Sequence, residues 1–291
     1  MLRRQRGAGP RARSVRSRTR PDIAGDGIDG ERRRHLRPRE KGLISMQDAR
    51  VCVTGATRGI GLAIAERFLA DGASVAVNYR SDRPETLAVL DRLEKEHPGR
   101  VLPVRADISS FDEVKRMFQQ IKAAWGGLDV QVNNAGHAQD SFALMMSEDA
   151  WRSVVDTDLS GTFACAKQAA WLMAAQRSGT IVNISSVSAI TSPAGQANYA
   201  AAKAGVVAFS RTLAKELARM NIRVNVIAPG FVETEMLDQL PSAMKDEYLA
   251  LIPDRRFGSA EEIANAVFFL ASPAASYING HCLVVDGGLT A

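Results

Sequence analysis

The chain has only three cysteines in 291 residues, at positions 52, 165 and 282, too few and too far apart for the disulfide framework of a small secreted protein or for a cysteine-ligated metal. All three fall in predicted strands or a helix and read as buried, reduced thiols of a cytoplasmic protein. Only four histidines occur, without ligand-like spacing, so no histidine metal centre is expected. One of them, His137, follows a turn where it could line a substrate mouth, and is given ordinary polar duty. No stretch approaches the roughly 20 apolar residues that span a membrane. No internal repeat and no second folded domain is visible.

Charge is unevenly spread. Residues 1–45 carry 14 Lys+Arg against 5 Asp+Glu, whereas residues 46–291 carry 23 against 27. The net +5 of the whole chain therefore comes from the leader, which is Arg-, Gly- and Pro-rich, nearly devoid of apolar runs and expected to be disordered. It lacks the apolar core of a secretory signal. An Arg-rich transit peptide and a phosphate-binding arm are both conceivable. The favoured reading is an extension upstream of the true start at Met46 that is not made, or is made without function. The high pI is accordingly no argument for a nucleic-acid partner, and none is expected.

The remaining 246 residues suffice for one sizeable α/β core. A short apolar strand, Val51-Cys52-Val53, runs into Thr54-Gly55-Ala56-Thr57-Arg58-Gly59-Ile60-Gly61 and then a helical stretch from Leu62. Strand, glycine turn and helix start form a phosphate-binding unit: Gly55 permits the turn, Gly59 close backbone approach to a pyrophosphate, and Gly61 close helix packing. Further strands are predicted over 74–78, 101–105, 129–132, 180–184, 223–227 and 282–285. Helices are predicted over 85–96, 111–124, 150–175, 197–220 and 260–270. Apolar strands alternating with amphipathic helices describe a doubly wound parallel sheet of about seven strands with helices on both faces. Ligands gather at the carboxyl ends of such strands. The glycine turn, Asp107, Asn133-Asn134-Ala135-Gly136, Ser186 and Pro229-Gly230 all fall there.

Tyr199 and Lys203 lie four apart in a predicted helix and so share one face, about 6 Å apart along its axis. An ammonium beside a phenol favours the phenolate, which makes the tyrosine usable as a general acid/base. Ser186, at the end of the apolar run 180–184, is placed to hold a substrate oxygen while the proton moves.

Taken together, Thr54 to Gly61, Asn133 to Gly136, Ser186, Tyr199-x-x-x-Lys203 and Pro229-Gly230-Phe231-Val232-Glu233-Thr234 resemble the short-chain dehydrogenase/reductases over about 46–291. Within that family, Gln196 to Gly205 and Val285-Asp286-Gly287-Gly288 are most similar to the 3-oxoacyl-acyl-carrier-protein reductases. The resemblance implies a Rossmann-type fold, a nicotinamide cofactor and a homotetramer. It implies Ser186, Tyr199 and Lys203 as catalytic residues, with Lys203 also on the nicotinamide ribose. By the same resemblance the cofactor is held by Gly55, Thr57, Arg58, Gly59, Ile60, Gly61, Arg80, Asp107, Ile108, Asn134, Ala135, Gly136, Tyr199, Lys203, Pro229, Gly230, Val232 and Thr234. No carboxylate ends the second strand, which runs Asn78-Tyr79-Arg80-Ser81. Arg80 and Arg58 can instead pair with a 2′-phosphate, so NADPH is expected. Asp107 reads either as an adenine contact or as a cap for the helix that follows.

The chain departs from the family in one place. Where the pattern has Asn-Leu-x-Gly it has Asp158-Leu159-Ser160-Gly161. In the family that position helps seat a water on the proton path from the lysine, chiefly through its backbone carbonyl. The Asp158 carboxylate is expected to raise the Lys203 pKa and alter that path. For an acidic acyl carrier protein the resemblance offers Arg177, which reads equally as a helix-end arginine, and puts Met220 beside Arg219 where a second basic contact is usual. The expected reaction is NADPH-dependent reduction of a 3-oxoacyl carrier thioester, for fatty-acid or polyketide assembly. Reduction of another ketone, a coenzyme A thioester or a sugar, or a catalytically weak partner subunit, are the alternatives.

Overall fold

The computed structural model of the protein describes residues 45–233 and 242–291. Residues 1–44 of the leader and Thr234 lie outside these described residues. Along the chain run β1 (Arg50–Val53), α1 (Gly59–Ala70), β2 (Ser74–Tyr79), α2 (Pro84–Glu96), β3 (Val101–Arg105), α3 (Phe111–Trp125), β4 (Val130–Asn133), α4 (Glu148–Val154) and a π-helical stretch, Val155–Gly161. Then follow α5 (Thr162–Gln176), β5 (Gly179–Ile184), the short α6 (Ser188–Thr191), α7 (Ala197–Leu217), β6 (Ile222–Pro229), α8 (Ser242–Leu251), α9 (Ala260–Ala271) and β7 (Cys282–Val285).

Each strand is a run of small and β-branched apolar residues whose neighbours point to opposite faces, so both faces need cover. Val51 and Val53 of β1 pack with Ile64, Phe68 and Phe268 on the α1/α9 side, while Cys52 between them packs with Ile121, Cys165 and Met173 on the α3/α5 side. The seven strands are all parallel, in the order β3-β2-β1-β4-β5-β6-β7. The doubly wound sheet expected from the sequence is therefore present. Its order reverses between β1 and β4, and that switch point opens a crevice at the carboxyl ends.

Two expectations need correction. The single helix predicted over 150–175 is split, because Asp158 is turned fully into the interior and the widened π turn around it accommodates that. Cys282 is only partly buried, because β7 is the edge strand of the sheet. The other two thiols are buried as expected, and burial pushes that of Cys52 up to about 12.

The amino ends of the central strands are clamped. Arg50 reaches Asp129 with Nη2 to Oδ1 at 2.7 Å and Nε to Oδ2 at 2.8 Å, and its own backbone N–H donates to Oδ2 at 2.9 Å. Gln176, at the end of α5, accepts from Arg50 Nη2 and brackets Leu128. Burial pushes the Asp129 carboxyl up, but the hydrogen bonds and charge of Arg50 outweigh it and hold it below the usual carboxylate range. A carboxylate depressed in the folded state stabilises above its unfolded value, ~4, and that contribution is lost as pH falls through the folded-state value. Asp129→Asn should therefore lower the melting temperature at neutral pH, with the gap to wild type closing as the solution is acidified below about pH 4. Thermal melts across pH check this.

Candidate active site

The glycine turn is sewn between the strands on either side. The Thr54 hydroxyl accepts the N–H groups of Asn134 (2.9 Å) and Ala135 (3.0 Å), and Asn134 Nδ2 returns hydrogen bonds to the carbonyls of Thr54 (3.0 Å) and Gly55 (3.2 Å). On the β2 side, Asn78 Oδ1 accepts the Gly55 N–H while its amide spans the carbonyls of Val104 and Ala106. The fit is tight. A Cβ on Gly61 would lie 2.2 Å from the Gly55 carbonyl oxygen, and one on Gly55, whose φ is +63°, would lie 3.0 Å from Ala135. Helix α1 then begins at Gly59 with Arg58 as its extended N-cap and no side-chain cap. An uncapped helix N-terminus at the switch point suits a pyrophosphate, so Gly55, Thr57, Arg58, Gly59, Ile60 and Gly61 fit the phosphates of a dinucleotide.

The crevice beyond β2 and β3 has a different character. Asp107 Oδ1 accepts from the Ser109 N–H (2.9 Å) and hydroxyl (2.7 Å), and its own N–H donates to Glu113 (2.8 Å). The cap of α3 itself is Ser110. Arg80, Arg105 and Arg116 line one shallow pocket with Asp107 and Glu113, and Arg105 is held by Asp82 at 2.8 Å. Ile108 is buried, and a Cβ on Gly161 would lie 2.9 Å from its Cδ1. Pro229 accepts the Val187 N–H, Gly230 donates to Val285, and Val232 is buried and bridges to Gly258.

On α7, Lys203 Nζ stands 5.4 Å from the centre of the Tyr199 ring, so the two do share a face. The ammonium is buried. It donates to the Ile184 carbonyl at the end of β5 (3.2 Å) and meets Asp158 Oδ2 at 3.0 Å. Burial alone would lower the Lys203 pKa, but the Asp158 carboxylate and the Tyr199 oxygen together raise it above the usual lysine value. The Asp158 main-chain carbonyl accepts the Thr162 hydroxyl at 2.7 Å, so the carboxylate is the group that faces Lys203. Its second oxygen accepts the His137 N–H at 3.0 Å. Gly136 has no side chain for a steric reason: a Cβ there would lie 2.5 Å from Asp158 Oδ2.

Ser186 follows β5. Its Oγ accepts the Ser188 N–H (3.1 Å) and donates to the Ser188 hydroxyl (3.2 Å), which donates to Gln196 Oε1 (2.9 Å); Gln196 Nε2 in turn donates to Asp140 (2.9 Å). Sequence reasoning missed Thr54, Asn78, Ser188 and Gln196. Asn78 carries a signal, a polar residue inside an apolar strand; Ser188 and Gln196 carry none, because the loop that brings them together has no periodicity. Arg177 caps α5 in the left-handed conformation and donates to the Arg219 carbonyl at 3.3 Å.

A family model described as Enoyl-(Acyl carrier protein) reductase matches residues 55–290, most of the chain and all of this site but Thr54. The chain belongs to the short-chain dehydrogenase/reductase family. Among its curated relatives is the 3-oxoacyl-[acyl-carrier-protein] reductase FabG of Staphylococcus aureus, 43% identical over 237 residues, which are 81% of this chain and 96% of the relative. The enzymes of the same name from Staphylococcus epidermidis and Thermotoga maritima are each 42% identical, over 81% and 83% of this chain and 97% and 98% of their own lengths. Membership makes this an oxidoreductase that uses a nicotinamide cofactor.

A buried ammonium deprived of its counter-charge is costly, on the order of 3 kcal/mol. Asp158→Leu should lose about that much unfolding free energy at neutral pH, whereas Asp158→Asn, which keeps an acceptor for His137 N–H and Lys203, should lose less. Because the Lys203 pKa is raised in the folded state, the contribution is fully present below the unfolded lysine value and disappears as pH rises through the folded one. The gap between wild type and Asp158→Leu in denaturant unfolding should thus persist up to about pH 9 and narrow only in stronger alkali.

Proposed function

We propose that the protein reduces the 3-oxo group of an acyl thioester borne by acyl carrier protein, with NADPH as reductant, in fatty-acid or polyketide assembly. The observation that carries this reading is the buried, paired Lys203 beside Tyr199 at the end of β5, in a chain 42–43% identical to relatives named for that reaction. When bound, the nicotinamide supplies the hydride. Tyr199 donates its phenolic proton to the substrate oxygen, and the Lys203 ammonium stabilises the phenolate left behind. Ser186, positioned by the Ser188 N–H, turns its hydroxyl proton toward the same oxygen and orients it. Asn134, Ala135 and Gly136 line the cofactor crevice, Asp107 and Ile108 the adenine end, and Pro229, Gly230 and Val232 the nicotinamide end.

The basic pocket of Arg80, Arg105 and Arg116 supports NADPH over NADH, with Arg58 at the nearby helix start. Exposed Trp151, Phe163 and Trp171 along α4 and α5 support burial of that face in a homotetramer. Arg177 and Arg219, linked at the protein surface, offer positive charge to an acidic carrier. The free thiols support a cytoplasmic setting.

The full chain should oxidise NADPH with a 3-oxoacyl carrier thioester faster than with the same acyl group on a short thiol, and should leave a 2-enoyl thioester untouched. Turnover of the enoyl substrate alone would replace this reading with enoyl reduction. Tyr199→Phe should lower turnover by about 10² or more, and wild-type rates would remove Tyr199 from the mechanism. Arg80→Glu should erode the preference for NADPH over NADH roughly tenfold or more, read from the dissociation constants of the two cofactors.

A further inference from the structure

The hydroxyl of Ser186 has a second hydroxyl beside it, and the network beyond the pair fixes where each proton points. Asp140, exposed on the segment between β4 and α4, carries an ionised carboxylate that can only accept. Gln196 therefore turns its amide nitrogen to Asp140, at 2.9 Å, and its amide oxygen inward. That oxygen also can only accept. It takes the Ser188 hydroxyl proton at 2.9 Å, and the Ser188 oxygen, left as an acceptor, takes the Ser186 proton at 3.2 Å. Gln196 is kept in register with Asp140 by two further ties: the Ser141 N–H donates to the Gly195 carbonyl at 2.8 Å, and Asn198 Nδ2 to the Gln139 carbonyl at 3.0 Å. Every proton of the series thus runs outward, from Ser186 toward Asp140.

A ketone oxygen needs the proton that Ser186 gives to Ser188. Were Ser186 to turn it toward the substrate while Ser188 stayed on Gln196, two oxygens 3.2 Å apart would face each other with no proton between them. We propose that Ser188 is a positioning residue for Ser186: its hydroxyl turns from Gln196 to Ser186 as the carbonyl oxygen arrives, and so releases the Ser186 proton to that oxygen. This rests on the ketone-reducing role proposed above. Only two hydroxyl torsions change, and no bond breaks. In the turned arrangement Ser186 Oγ accepts both the Ser188 N–H, which already lies at 3.1 Å, and the Ser188 O–H. A hydroxyl that accepts twice is polarised and donates more strongly. The gain grows as negative charge gathers on the substrate oxygen, so it acts on the transition state more than on the bound ketone. Ser188 suits this duty because it is the first residue of α6 and only 8% exposed, with Ser186 and Gln196 as the partners of its hydroxyl. Gln196 is only partly buried, so water replaces the donor that its amide oxygen gives up. Ser188 does not touch the substrate in this scheme, and Gln196 and Asp140 act by holding the outward arrangement.

The test compares the full chain as wild type, Ser188→Ala, Ser186→Ala and the double variant, with NADPH and any ketone that wild type reduces. Alanine at 188 keeps the backbone N–H and removes only the hydroxyl. Ser188→Ala should lower kcat about fivefold or more, the weight of one hydrogen bond gained in the transition state, at unchanged KM for NADPH. In the Ser186→Ala background the same change should alter kcat by less than about twofold, because Ser188 then has nothing to act through. Wild-type kcat in Ser188→Ala overturns the proposal. So does an equal fold loss in both backgrounds, which is what a merely structural role gives. A second readout needs no substrate: in denaturant unfolding of the same four proteins, the loss of stability in the double variant should fall short of the sum of the two single losses. A simple sum overturns the coupling of the two hydroxyls. Should wild type reduce no ketone, the proposed function fails and the unfolding cycle still decides the coupling.

Discussion

A buried ammonium must be given an anion and an acceptor, and much of the active-site half of the molecule is arranged to meet that demand. Lys203 draws on three elements at once: the Ile184 carbonyl at the end of β5, the Asp158 carboxylate on the π turn, and the Tyr199 ring on its own helix. To reach Lys203, Asp158 has to point inward, which requires the widened turn between α4 and α5 and forbids a side chain on Gly136. The carboxylate in turn fixes the His137 N–H and so the loop leaving β4. One ion pair therefore ties together the ends of β4 and β5, the π turn between α4 and α5, and the helix that carries Tyr199.

The sheet supplies the frame in which that pair is placed. Its central strands are buried on both faces, yet they carry Gln131, Asn133 and Asn183 in otherwise apolar runs. These amides are linked in series: Gln131 donates to Asn133 at 2.8 Å, Asn133 to Asn183 at 2.7 Å, and Asn183 to the Ser210 hydroxyl of α7 at 2.7 Å. A chain of buried polar contacts of this kind is costly if any partner is displaced, so it holds α7 in one register against β4 and β5. The Ser185 hydroxyl, donating to the Lys203 carbonyl at 2.9 Å, adds a second tie beside Lys203. The rigid floor under Tyr199 and Lys203 is thus polar as well as apolar in origin.

Residues that serve the cofactor crevice are divided between two kinds of support. The glycine turn is held by its close approach to Asn134 and Ala135, where a single added methyl would collide with backbone. The pocket beyond β2 and β3 is more open and is shaped by charge, with three arginines gathered around Asp107 and Glu113. The first kind of support tolerates almost no substitution. The second can change its preference through single side chains, which is how related sites come to discriminate between two nearly identical dinucleotides.

By itself the sequence determined the alternation of strands and helices, the parallel sheet, the glycine turn before α1, and the pairing of Tyr199 with Lys203, because period-2 and period-3.6 apolar patterns and short-range spacing are local properties. It also marked Asp158 as unusual. Only the tertiary structure decided what Asp158 does, since the π turn that aims it, the Thr162 hydroxyl that occupies its carbonyl, and the Lys203 and His137 groups that meet its carboxylate lie on segments up to 45 residues away. The serine and glutamine chain behind Ser186 likewise depends on a loop without periodicity. The direction of a buried side chain is set by what surrounds it in three dimensions, and no spacing along the chain encodes that.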